Sequence, residues 1–289
     1  MRTILCVATV DFHSVTGIPL AMAESPRTKG EIVFEDYLNF QGIPFDFEKE
    51  HPGKSKRPDY TIEWEGKTIV LDVKDFDPPE KPLSGFGQFD PYTPIREKID
   101  QGRDKFKQFK EHCCCLVLFD AGRPLLLLDS RDVMLGSMYG DAGFTFPVNT
   151  TTGIGDASQI KGTFLGRGKM IRPNWSQAQN TTLSAVIVVS KIKPFLMEMT
   201  DMIVENHGVD IEAEMRQKIP NFDPYLEIPR VVVWYNGVAR IPFPTSLFRG
   251  DYDAHYGIVR AEDGVIEQNV TYEGSAVPDR IKLSKLRKK

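Results

Sequence analysis

Residues 58–76, PDYTIEWEGKTIVLDVKDF, contain two strand-forming runs with only the Glu65-Gly66 step between them. So short a connection fits a β-hairpin, because antiparallel neighbours can be joined by a tight turn whereas parallel strands need a long crossover. Side chains alternate along a strand. Asp72 and Lys74 therefore point to one side of the second run, and Ile69, Leu71 and Val73 to the other. Asp59, at the start of the first run, can face the same side as Asp72 across the hairpin. Two carboxylates and an ammonium converge on an otherwise apolar strand.

The surroundings of this hairpin have a legible order. Residues 29–41 read as a helix, with Phe34, Leu38 and Gln41 along one stripe and Gly42 placed to end it. Residues 43–50 read as a strand. After the hairpin, the Pro- and Gly-rich stretch 77–94 excludes helix and central strand. A helix over 95–111 follows, with Ile95, Ile99, Gly102, Phe106 and Phe109 on one face, then the buried strand CCCLVLFD and the run PLLLLD. The order is helix, three strands, helix, strand. Further on, residues 140–181 are rich in Gly, Thr and Asn and read as long loops. SAVIVVS and RVVVWYN read as buried strands, residues 195–218 as carrying a helix, and KLSKLRKK as a basic tail. The first residues, MRTILCVATVDF, read as a strand rather than a secretory signal.

Composition removes several function classes. A hydrophobic fraction of 41% and a charged fraction of 26% are those of a globular protein. No apolar run approaches the roughly 18 residues of a membrane span, so no membrane partner is expected. Cys6 and the triplet Cys113, Cys114 and Cys115 have no disulfide or zinc spacing, which points to a reducing, cytoplasmic setting. The histidines at 13, 51, 112, 207 and 255 are scattered. The GRGK at 166–169 lacks the spacing and the Ser/Thr of a phosphate-binding loop, and no serine-hydrolase elbow or dinucleotide fingerprint is present. A net charge of −4 does not exclude nucleic acid, since local distribution outweighs the sum.

The convergent residues suit phosphodiester hydrolysis. Mg²⁺ takes hard oxygen ligands and retains waters, so two carboxylates can hold it beside a phosphate. A neighbouring Lys can orient or deprotonate the attacking water. The bland reading of Asp59, Asp72 and Lys74 is a surface salt bridge on a hairpin, worth little.

Pro58-Asp59, then twelve residues, then Asp72-Val73-Lys74 resembles the motif of the PD-(D/E)xK, restriction-endonuclease-like nucleases, and the element order resembles their core. The resemblance covers roughly residues 29–130. It implies an α/β fold, a mixed central sheet flanked by helices, with an extended C-terminal α/β region. The corresponding division is an N-terminal extension over 1–28, a nuclease core over 29–139 and a C-terminal extension over 140–289, the last either a separate domain or elements added to the same sheet. The resemblance further implies a Mg²⁺- or Mn²⁺-dependent nuclease, acting on DNA in preference to RNA, in restriction, phage defence, repair or transposition. Asp59, Asp72 and Glu31 (with Glu35 the alternate, one helical turn on) would hold the metal, and Lys74 would serve the water. The helix after the motif has a polar stripe of Lys98, Gln101, Lys105 and Gln108 beside its apolar face, and would add Lys98 or Gln101 to the site. Lys161, Arg167, Lys169 and Arg172 lie in a stretch, 157–197, that has no acid, and are candidates for nucleic-acid contact together with Phe164 and Trp175. A companion protein or a homodimer fits such an enzyme. The competing reading is a non-catalytic nucleic-acid-binding or scaffold subunit on the same fold.

Overall fold

The computed structural model describes residues 26–78, 90–123, 126–172, 176–197, 213, 216–217, 223–260 and 266–277. The chain forms helix α1 (Lys29–Phe40), strands β1 (Asp46–Phe47), β2 (Tyr60–Trp64) and β3 (Lys67–Phe76), helix α2 (Tyr92–Phe106), strand β4 (Cys113–Asp120) and helix α3 (Arg131–Tyr139). Then come β5 (Asp141–Thr145), β6 (Lys161–Leu165), β7 (Leu183–Ile192), β8 (Ile228–Tyr235), β9 (Ala254–Arg260) and β10 (Ile266–Glu273). Eight strands make one mixed sheet in the order β1-β2-β3-β4-β7-β8-β9-β10, and β5 and β6 pair separately.

The sheet is mixed for a sequence reason. β3, β4 and β7 are parallel to one another at its centre. CCCLVLFD and LSAVIVVSKI are nearly continuous apolar runs, as parallel strands buried on both faces require. Successive residues feed opposite cores. Val70, Leu116, Leu118, Val186 and Val188 pack with Ile95, Ile99 and Phe106 of α2 and Met134 of α3. Leu71, Val73, Cys115, Val117 and Ile187 pack with Phe34, Tyr37 and Leu38 of α1 and with Phe243 and Phe248. α1 and α2 thus lie on opposite faces. Each fully buried aromatic or Leu side chain on α1 contributes roughly 1.5–3 kcal/mol of burial.

The β2–β3 hairpin closes as the sequence requires. Glu65 and Gly66 both take positive φ, 47° and 73°, the combination a two-residue turn of this twist needs. Elsewhere the expectations need correction. The strand read over 43–50 shrinks to Asp46–Phe47, because Glu48 turns to a φ of 46° and leaves the extended region. The loops read over 140–181 include the β5–β6 hairpin. Leu127 and Leu128 of the run PLLLLD sit in a turn leading to α3. The second half supplies β7 to β10 to the same sheet, with β7 bonded directly to β4. The strand read over 1–12, Trp175, most of the helix read over 195–218 and the basic tail lie outside the described residues.

Two polar networks pin α1. Its first turn is closed by Thr28 and Glu31, each side chain bonded to the other's backbone N–H. Gly30 N–H donates to Asp75 Oδ2 at 3.0 Å. A Cβ on Gly30 would meet Asp75 Oδ1 at 2.2 Å and Phe119 Cβ at 2.9 Å. Gly30→Ala is expected to destabilise by about 1–2 kcal/mol through this overpacking, read as a lowered urea midpoint; an unchanged midpoint would show that α1 is free to shift. Further along, the Tyr37 hydroxyl donates to Asp253 Oδ2 at 2.6 Å, and Asp253 also accepts from the backbone N–H of Val231 and Gly250. Next to it, His255 Nε2 lies 2.6 Å from the Phe248 carbonyl, which can only accept. Nε2 therefore carries the hydrogen and Nδ1 accepts from the Tyr235 hydroxyl, also at 2.6 Å.

Candidate active site

Tyr60 pairs with Leu71, so one residue earlier the register sets Asp59 opposite Asp72. Directly opposed carboxylates repel, and three contacts offset this. The Val73 N–H donates to Asp59 Oδ2 at 2.7 Å, which fixes Asp59 against β3. Lys105 of α2 donates to Asp59 Oδ1 at 2.6 Å and also bonds Asp72 Oδ1. Lys74 Nζ lies 2.7 Å from Asp72 Oδ2, an ion-pair distance outside hydrogen-bonding geometry, so that buried oxygen has a charge partner but no hydrogen bond.

The electrostatics separate the two acids. Asp72 is fully buried, and burial alone would raise its pKa; Lys105 and Lys74 outweigh that and hold it below the usual carboxylate range. Asp59 is pushed up to about 6, first by burial and then by the Asp72 charge, against the pull of Lys105. The pair titrates as a unit, with the first proton entering on Asp59. Burial disfavours the charge on Lys105, but Asp72 and Asp59 overcome it and raise its pKa. At neutral pH the cluster holds two carboxylates and two ammoniums.

Not every expected residue is here. Asp59, Asp72 and Lys74 are brought together as the hairpin implies. Glu31 is not brought to them: its carboxylate accepts from the Thr28 N–H in the helix cap, on the α1 face of the sheet. The signal was present, since Thr28-x-x-Glu31 is the capping-box spacing. Glu35 pairs with Arg27 at 3.0 Å and accepts from the Tyr60 hydroxyl at 3.1 Å. Lys98 is set over the Phe76 ring, 5.6 Å from its centroid, and Gln101 is exposed.

Lys105, from the same polar stripe of α2, is the residue that reaches the carboxylates. α2 runs back along β3, so seven helical residues from Lys98 advance about 10.5 Å, while the four strand residues from Phe76 back to Asp72 span roughly 13 Å. The residue paired with Asp72 must then lie about two turns past Lys98. Of the basic residues further on, Lys169 pairs with Asp100 of α2, and Arg167 and Arg172 are exposed. The side chain of Lys161 lies outside the described residues.

No family model, curated protein or solved structure matches the chain. Among the described residues no three His, Cys, Asp or Glu side chains gather as a metal-holding group, and no helix is long and apolar enough to cross a membrane. The donor set at β3 still fits a hard divalent cation. Two carboxylates face each other, and one carries an oxygen without a hydrogen bond. Mg²⁺ is commonly held by one or two carboxylates, with waters and phosphate oxygens completing its shell.

Proposed function

We propose that this protein is a divalent-metal-dependent nuclease on a restriction-endonuclease-like core, hydrolysing the phosphodiester bonds of nucleic acid, DNA in preference to RNA. The observation that carries the reading is the opposed pair Asp59 and Asp72, with Lys74 two residues on along the same face of β3. The succession α1, β1, β2, β3, α2, β4, with β3 and β4 parallel, supports the fold part of the reading.

Asp59 and Asp72 would hold Mg²⁺ or Mn²⁺, which when bound supplies Lewis acidity at a phosphoryl oxygen and lowers the pKa of a water. The chain's own residues do the rest. Asp72, charged despite its burial, is a fixed negative site. Lys74, a quarter exposed, presents its ammonium where it can hydrogen-bond the water or the charge developing at phosphorus. Lys105 balances the paired carboxylates and keeps them from repelling the hairpin apart.

The test incubates the protein and Lys74→Ala with Mn²⁺ and plasmid, single-stranded DNA or RNA, beside metal-binding calorimetry. Wild type is expected to cut. Lys74→Ala should retain metal binding and lose about 10²-fold in rate, the scale of one proton-transfer group. Equal rates in the two proteins would remove Lys74 from the chemistry, and faster RNA cleavage would reverse the substrate preference. One observation favours a second reading, a non-catalytic nucleic-acid-binding subunit: Lys105 already neutralises the two carboxylates between which a metal would sit. That reading expects neither Mn²⁺ binding nor cleavage.

A further inference from the structure

We propose that the loop 53–57 and the C-terminal end of α2 form one basic surface that receives the phosphate backbone of the nucleic acid beside Asp59 and Asp72. The inference rests on the nuclease reading for the substrate class, and on separate residues for its evidence.

The loop is built against the helix. Gln108 Oε1 accepts from the N–H of Ser55 at 2.9 Å and of Lys56 at 3.4 Å, while Gln108 Nε2 donates to Ser55 Oγ at 2.8 Å. Lys54 pairs with Glu111, and Lys56 Nζ reaches the Asp104 carbonyl at 3.5 Å. His51 packs edge-on to Phe109 and bonds Thr61 of β2 at 3.1 Å. Gln108 lies just past the C-cap of α2, three residues beyond Lys105, so the end of the helix holds the carboxylates and the turn that follows holds the loop that enters them. The position of Lys56 and Arg57 relative to Asp59, two or three residues on, is thereby fixed.

The charge of this surface opposes that of the chain. Residues 50–57 and 103–111 contain Lys54, Lys56, Arg57, Arg103, Lys105, Lys107 and Lys110 against three acids, Glu50, Asp104 and Glu111, in a protein of net charge −4. Lys56, Arg57, Lys107 and Lys110 are exposed. Lys56 and Lys110 have no carboxylate partner among the described residues, and Arg57 and Lys107 pair only with the exposed Glu50 and Asp104. Such solvated pairs are weak and exchange readily for phosphate. A cleft of about 490 Å³ is lined by Glu50, His51, Lys54, Ser55 and Arg57, in and just before this loop. Spaced lysines on a rigid edge next to paired carboxylates suit a polyanion that passes the carboxylates, and their contacts carry no base information.

The experiment measures anisotropy of a fluorescein-labelled duplex and of a labelled single strand in EDTA, over a salt series, with cleavage in Mn²⁺ measured separately. The proteins are wild type, Lys56→Glu/Lys110→Glu and Gln108→Ala, each checked by thermal unfolding. The double variant is expected to bind about tenfold more weakly, with a log–log salt slope shallower by about two, near one for each phosphate no longer neutralised. Gln108→Ala should weaken binding while leaving every charge in place. Wild-type affinity and slope in both variants would overturn the proposal, and the nuclease reading would survive if wild type still cuts. Variant-sensitive binding without any cleavage would uphold this surface and sink the nuclease reading. No binding by wild type to either strand form would overturn the surface.

Discussion

Asp72→Asn is expected to abolish Mn²⁺ binding and to reduce cleavage by at least about 10³-fold, because a metal-held oxygen contributes several kcal/mol to phosphoryl-transfer transition states. The residue is fully buried with two lysines on its carboxylate, so the substitution also leaves Lys74 without its carboxylate partner and Lys105 with Asp59 alone. Removing one partner of a fully buried pair costs about 3–5 kcal/mol; both lysines here are partly exposed, so about 2 kcal/mol is the expected loss of stability. Calorimetry and urea unfolding read the two effects apart. Adding Lys74→Met should recover part of the stability and none of the metal binding. A single variant that binds Mn²⁺ as wild type does would place the metal elsewhere. A double variant no more stable than the single would mean that Lys74 is not held by Asp72.

Acid should expose the second large effect, at the far end of the sheet, once the opposing contribution of Asp59 is removed. Burial lowers the pKa of His255 to about 4, with the charge of Arg249 adding to it and the Phe248 carbonyl opposing it. The ring also meets the hydroxyl of Tyr235 and the ring of Tyr272, neither of which supplies a negative charge near neutral pH. Its folded pKa lies below its unfolded value, so between about 6.5 and 4 the unfolded chain binds the extra proton. The contribution is full above pH 6.5 and is lost as pH falls towards 4. It amounts to about 3 kcal/mol, or about 1 M in urea midpoint at an m of roughly 3 kcal/mol/M.

Asp59 has the opposite sign. Its folded pKa is raised above 3.8, so the folded state takes the proton first and gains stability as pH falls through about 6. Urea midpoints are therefore expected to change little between pH 6 and pH 4 in wild type and to fall steeply in Asp59→Asn. A steep fall in wild type, with no further steepening in Asp59→Asn, would show that Asp59 does not carry the raised pKa.

The sequence by itself determined the local part of this protein. Two strand runs separated by Glu65-Gly66 can only fold back on each other, and a period of two then places Asp72 and Lys74 on one face and Asp59 opposite them. Apolar runs bounded by turn residues likewise made β4, β7 and β8 legible. Only the tertiary structure decided which helix meets the carboxylates. Helical spacing grouped Lys98, Gln101 and Lys105 on one stripe, but the distance travelled by α2 along β3 chose Lys105, and that distance depends on how the helix packs against Val70, Leu116 and Leu118. Glu31 is the converse case: its spacing to Thr28 could serve a cap or a metal, and the packing of Phe34, Tyr37 and Leu38 on the opposite face of the sheet assigned it to the cap. The joining of both halves in one sheet was equally beyond local patterns, because β4 and β7 lie more than sixty residues apart and their pairing is set by burial on both faces rather than by any turn between them.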